Sequence, residues 1–304
     1  MMRFRAPPPR LVAKSAALVL LAVVPVGLAW WLLEGETALA VYLGMTFMTM
    51  AVGRLSLSGQ CLVGLSAGLA AAVGSWVAGS TPLLIAAVVA ACAAQFYVNR
   101  LSVGAAALLP SNIVLYATLA PDAPGRVAIA NWLGAAVVIV LAGLVRMRLT
   151  AEPAATREAI VHAVELAAGC TALIVVTRAL DLPRGNWAVL TLCLVLVPGA
   201  RRTGRRVMHR ALGTATGALL AVAVAVVAPP KVCLLLAAVC AVLTVAYAVL
   251  PDDFLYAVFL TPTVLLLFSS GRANATVPIA LERVGMTALG AALALALSRG
   301  FARL

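Results

Sequence analysis

The chain has 304 residues, 64% of them hydrophobic and 11% charged, with a formal net charge of +12. Soluble domains are about 45–50% apolar and about 25% charged, so this composition excludes a soluble globular enzyme. Nor does the positive charge signal nucleic acid, because in so apolar a chain Lys and Arg collect on cytoplasmic loops.

Arg3, Arg5 and Arg10 precede an apolar run over 11–33. Ala38-Leu39-Ala40 looks like a signal-peptidase site, but a signal-peptide core is only about 7–15 residues long, so the run is expected to stay as the first span. Further apolar windows predict spans at 37–53, 61–79, 82–98, 101–119 and 127–147, then 158–180, 185–199, 209–228, 231–250, 254–270 and 277–298. The second and eighth are short for the roughly 20 residues a crossing helix needs. Between the sixth and seventh lies a polar, Pro-containing stretch. The expected organisation is a membrane repeat at 1–148, a cytoplasmic linker at 149–157 and a second repeat at 158–304.

With the N-terminus inside and the spans alternating, 16 of the 22 Lys and Arg residues fall on one side. That side is expected to be the cytoplasm, with both chain ends in it. Heavy Ala, Val, Leu and Arg use suggests a GC-rich bacterium, and with it the inner membrane.

Three landmarks recur at an offset of about 150. Gly64-Leu65-Ser66-Ala67-Gly68 parallels Gly213-Thr214-Ala215-Thr216-Gly217, Pro110 parallels Pro262, and 129–134 parallels 280–285. The fold class expected is therefore an all-α polytopic membrane protein of about 12 helices. An even number of spans per half makes the two six-helix repeats parallel.

Gly64/Gly68 and Gly213/Gly217 have the four-residue spacing that lets two helices approach closely. The first pair also fits G-x-S-x-G, but that motif needs a strand–turn–helix context and partner residues, which an apolar helix does not offer. Pro110-Ser111-Asn112 and Thr261-Pro262-Thr263 are placed within spans. A helical proline frees backbone groups, which neighbouring hydroxyls can satisfy as a plain kink, or which can line a substrate site at mid-membrane. Arg201, Arg202, Arg205, Arg206 and Arg210 form the densest charge run, either a lipid-phosphate anchor or an electrostatic funnel for anions. Arg210, at the edge of the membrane helix, is the strongest candidate among them for a substrate contact.

His162 and Glu165, at (i, i+3), can face each other as a structural pair or a proton-coupling pair. Asp252 reads as a helix N-cap, and Glu282 with Arg283 as a neighbouring ion pair. The six cysteines show no C-x-x-C spacing and read as small buried hydrophobes. No phosphate-binding loop, metal motif or cofactor motif is present, so neither an enzyme nor an ATP-driven pump is expected.

The second half resembles a known family. Asn186-Trp187-Ala188-Val189-Leu190-Thr191, Leu196-Val197-Pro198-Gly199 and Arg210-Ala211-Leu212-Gly213-Thr214-Ala215-Thr216-Gly217-Ala218 are similar to the fusaric acid resistance/aromatic acid exporter (FUSC) superfamily. Tyr256-Ala257-Val258-Phe259-Leu260-Thr261-Pro262 and Arg283-Val284-Gly285-Met286-Thr287-Ala288-Leu289-Gly290-Ala291 continue the likeness in order. In the first half Cys61 stands where Arg210 stands in the second, and the large cytoplasmic domain of longer family members is missing. The resemblance implies an inner-membrane exporter of small organic acids, often aromatic. Its partners would be the organic anion, the lipid bilayer and either a periplasmic adaptor or further copies of the chain. The competing reading is a non-transporting scaffold or assembly subunit.

Overall fold

A computed structural model describes residues 6–32, 35–49, 51–102, 108–144, 152–198, 200–250 and 252–301, all helix, turn or loop without a strand. The first half holds α1 (Pro9–Leu32), α2 (Gly35–Met48), α3 (Leu57–Trp76), α4 (Thr81–Leu101), α5 (Leu109–Leu119) and α6 (Pro124–Leu144). The second holds α7 (Thr156–Ala179), α8 (Asn186–Val195), α9 (Ala200–Val227), α10 (Pro230–Val249), α11 (Asp253–Phe268) and α12 (Ala273–Phe301).

Each apolar window of the sequence contains one helix, but among the described residues only eight helices are long and apolar enough to cross a membrane. The others are α2, α5, α8 and α11, with 14, 11, 10 and 16 residues. At 1.5 Å per residue they extend about 15–24 Å, less than the roughly 30 Å hydrocarbon core. The windows overran them for local reasons. Pro198 disfavours helix at the residue before it, and α8 stops at Val195 with Leu196 extended. The window 101–119 straddles a break: α4 ends at Leu101 and α5 begins at Leu109, with residues 103–107 outside the described ones.

The same pairs of helices meet in each half. In the first, α2 packs on α6, α3 on α5 and α6, and α4 on α5; in the second, α8 packs on α12, α9 on α11 and α12, and α10 on α11. Between the halves α4 lies on α7, α1 on α10 and α5 on α8. The largest core sits on that seam, where Val88, Cys92, Ile113, Val114, Leu166 and Leu192 interlock. Outward faces are apolar instead: Trp30, Trp31, Trp76 and Tyr97, all strongly exposed, stand near helix ends, where amphipathic rings suit a membrane–water boundary.

Lipid tails are as apolar as Leu, so close van der Waals packing replaces the hydrophobic drive between such helices. Glycine supplies it here. A methyl on Gly213 would sit 2.7 Å from both Ala257 Cβ and the Phe254 carbonyl oxygen of α11. One on Gly217 would meet the Val258 carbonyl oxygen at 2.5 Å and Pro262 Cδ at 3.0 Å. Gly64 and Gly68 face α6 rather than α5, against Ala135 and the Trp132 ring. The third landmark also shifts: Gly134 abuts the α2 backbone at Val41, whereas Gly285 faces open space and Gly290 abuts α8 at Ala188. The helices correspond between halves, but these motif positions do not contact corresponding partners.

Polar ties hold the halves at both ends. The Arg178 guanidinium of α7 donates to Thr81 Oγ1 at 2.9 Å and the Ala78 carbonyl at 3.0 Å. At the opposite end Arg100 donates to the Ala154 carbonyl at 2.7 Å, and the Ala154 N–H donates to the Asn99 carbonyl. The described part of the expected linker is thus tied to the end of α4; residues 149–151 lie outside the described ones. Arg54, in the turn before α3, has its guanidinium pKa lowered by burial and by nearby Arg206, against the opposing charge of Asp253.

Candidate functional site

Of the two expected proline breaks, one is a helix-interior break. Pro262 lies inside α11, and flanking hydroxyls serve carbonyls of their own helix: Thr261 Oγ1 donates to Ala257 at 2.8 Å, Thr263 Oγ1 to Phe259 at 2.9 Å. Pro262 has no N–H to offer Val258 one turn earlier, and that carbonyl faces Gly217 of α9. Pro110 instead occupies the first turn of α5, where a missing N–H leaves no hydrogen bond broken. The expectation of a mid-helix break there is corrected. Ser111 and Asn112 are buried beside it, and Asn112 Nδ2 donates to the Ala67 carbonyl at 2.8 Å.

A cavity of about 10 Å³ lies between α2, α3 and α5, lined by Phe47, Val63, Ala67, Leu108, Leu109 and Asn112. Its room is that of a single water. Thr261, Pro262 and Thr263 do not line it; all three are buried in the second half.

His162 and Glu165 are both buried in α7, but His162 turns to other partners. Asn99 Nδ2 donates to His162 Nδ1 at 2.9 Å, while Gln95 Nε2 donates to Asn99 Oδ1 at 3.3 Å. With Nδ1 accepting, Nε2 carries the proton and donates to the Leu196 carbonyl at 3.1 Å. That carbonyl follows the end of α8, in a buried stretch without helical partners. The next peptide is served by Thr203, whose Oγ1 lies 3.0 Å from the Val197 carbonyl and accepts the Val197 N–H. Buried irregular backbone must be satisfied by other protein groups, and His162 does this at the end of α8. The ring nitrogens are therefore not shared with Glu165.

The charge run opening α9 divides by depth. Arg205 is exposed, Arg206 reaches Asp253 at 3.7 Å, and Arg210, one turn further, is only 5% exposed. The side chains of Arg201 and Arg202 lie outside the described ones. Asp252 caps α11 as expected, its Oδ1 accepting the Leu255 N–H at 3.0 Å. Arg283, expected to pair with Glu282 near the outer edge, is instead 2% exposed within α12, and Glu282 pairs with Arg184. The cause is helical geometry: consecutive residues point about 100° apart and do not face each other.

Arg210 stacks 5.8 Å from the Tyr256 ring centre and Arg283 5.0 Å from that of Trp187. Neither makes a hydrogen bond or ion pair among the described residues, and both Nε atoms are sealed without a partner. Thr214 and Thr287, each four residues beyond its arginine and so on the same helix face, also have sealed, unpartnered hydroxyls, as does Thr191.

Residues 167–297, from α7 into α12, match the family model described as fusaric acid resistance protein-like. The second half is fusaric acid resistance protein-like. No curated protein and no solved structure matches the chain. The FUSC-like segment contains Arg210, Arg283, Trp187, Tyr256 and the three threonines. The chain is thus a multi-pass membrane protein, and the likeness of its second half to that family is compatible with a transporter-like role. In sequence Arg283 reads as the partner of Glu282, and nothing singles out Thr191, Thr214 or Thr287. Arg-x-x-x-Thr occurs at 210–214 and 283–287, but also at 146–150 and 272–276, so the spacing alone does not pick them out.

Proposed function

We propose that this protein exports small organic acids, aromatic ones foremost, across a bacterial inner membrane. It acts without enzymatic chemistry, as two parallel six-helix repeats with both termini in the cytoplasm. The observation that supports this best is Arg210: a guanidinium buried in a membrane-length helix of the FUSC-like half, with no acidic partner in contact. A charge at membrane depth is costly and is kept where a pathway needs it. The repeat is supported by the equivalent helix pairings of the two halves.

In this reading Arg210 receives an organic anion at the inner end. Thr261, Pro262 and Thr263 line its path, with Pro110, Ser111 and Asn112 supplying the other half's wall. Driving force comes from the membrane potential or an ion gradient. A potential of about 100 mV, negative inside, favours exit of a monoanion by about 2.3 kcal/mol, close to fifty-fold. Should export be proton-coupled, Glu165 is the better carrier than His162, whose ring is committed to Asn99 and Leu196.

The test is efflux of preloaded weak aromatic acids, benzoate among them, from cells with and without the gene. Faster efflux with the gene, abolished by valinomycin and potassium, is expected of potential-driven export. Equal efflux across the panel overturns the exporter reading and leaves the scaffold.

A further inference from the structure

We infer that Arg210 and Arg283 together form a carboxylate seat inside the FUSC-like half, enclosed by α8, α9, α11 and α12. This deepens the exporter reading and rests on it for the ligand's class, an organic carboxylate.

Two helices carry the same device. α9 presents Arg210 and then Thr214 on one face; α12 presents Arg283 and then Thr287. α12 packs against both α8 and α9, and α9 against α11. The two guanidinium groups and the Tyr256 hydroxyl lie close enough to act on each other electrostatically. Asp253 also acts on Arg210, but its contact is with Arg206; like charges repel, and two buried guanidinium groups with no carboxylate in contact demand compensation. The rings of Trp187 and Tyr256 provide part of it, since a guanidinium is attracted to a π face.

The rest is an unfilled set of hydrogen-bond groups. Both arginine Nε atoms and the hydroxyls of Thr191, Thr214 and Thr287 are sealed from solvent and bonded to nothing. A buried donor without an acceptor costs about 1–3 kcal/mol, so five of them on the mutually packed helices α8, α9 and α12, two of them on guanidinium groups, mark a place built for an acceptor. Guanidinium N–H pairs match the two oxygens of a carboxylate, and the neighbouring rings suit an aromatic acid's apolar body. The first half lacks the charge: Cys61 stands in place of Arg210, and the unpartnered buried polar atoms there belong to the neutral side chains of Gln95, Ser102, Asn112 and Asn131. One seat per chain is expected, not two.

Benzoate binding to the purified full chain in detergent tests this by calorimetry. We expect one saturable site per chain, at least tenfold weaker in Arg283→Gln and partly restored in Arg283→Lys. The exposed Arg205→Gln should bind as the parent does. Should Arg283→Gln fail to fold, Thr287→Val removes one hydroxyl at nearly constant size and should weaken binding several-fold. Parent-like affinity in the folded variants, or no binding by the parent, overturns the seat. The exporter reading fails separately. Binding that is lost in Arg283→Gln, from a chain that moves no benzoate in vesicles, upholds the seat and removes the exporter. Vesicle transport with an unchanged KM in Arg283→Gln removes the seat and keeps the exporter.

Discussion

His162 shows how one side chain can hold a helix end that has run out of its own backbone partners. Its Nε2–H is the donor to the Leu196 carbonyl, and its Nδ1 is the acceptor for Asn99. His162→Ala strands both, and each orphaned buried group costs about 1–3 kcal/mol. We expect a clear drop in the thermal midpoint of the purified protein, with His162→Gln milder because its amide can both donate and accept. Transport by His162→Gln should keep the parent's pH profile between pH 5.5 and 8. A changed profile would restore His162 as a proton carrier. Thr263→Val tests the proposed path in the same way: transport should fall several-fold at unchanged protein level, because a hydroxyl is lost with little change in size.

At the scale of elements, glycine contacts decide which helices touch. Gly217→Leu should prevent assembly, since the Val258 carbonyl and Pro262 leave no room for a branched side chain. Gly134 and Gly285 offer a sharper comparison, because their sequences align and their surroundings differ. Gly134→Ala drives a methyl into the α2 backbone, whereas Gly285→Ala meets nothing within 4 Å. Membrane-inserted protein should fall in the first and stay at parent level in the second; equal levels in both would contradict the packing described. The four short helices follow the same logic. α8 ends where Pro198 and the extended Leu196 stop it, and its backbone is finished by His162 and Thr203.

For the whole molecule, the two halves meet through α4 with α7, α1 with α10 and α5 with α8. Arg178 ties them at one end, and Arg100 with the 152–155 segment at the other. If the linker is cytoplasmic, reporter fusions at Arg157 and Arg184 lie on opposite sides, because α7 crosses between them. The same side for both would end the proposed topology.

The sequence by itself determined what rests on composition and local spacing. Apolar windows located the twelve helices of the described residues, though only eight are long enough to cross a membrane, because an internally bonded helix is what hides backbone from lipid. The Asp252 cap was legible from the residue type before an apolar run, and the G-x-x-x-G spacing announced close contact without naming the partner. The FUSC-like motifs lay in order along the second half. Other features depended on which helix faces which, a property that no single segment contains. Tertiary packing turned His162 away from Glu165, a separation of three positions on one helix being less decisive than a bare carbonyl after α8. It moved Pro110 to a helix start, gave Glu282 to Arg184, and set Arg283 deep beside Trp187, near Arg210. A pair of charges 73 positions apart in sequence becomes one site only when α9 and α12 pack together, because electrostatic coupling depends on distance in space and on the exclusion of water.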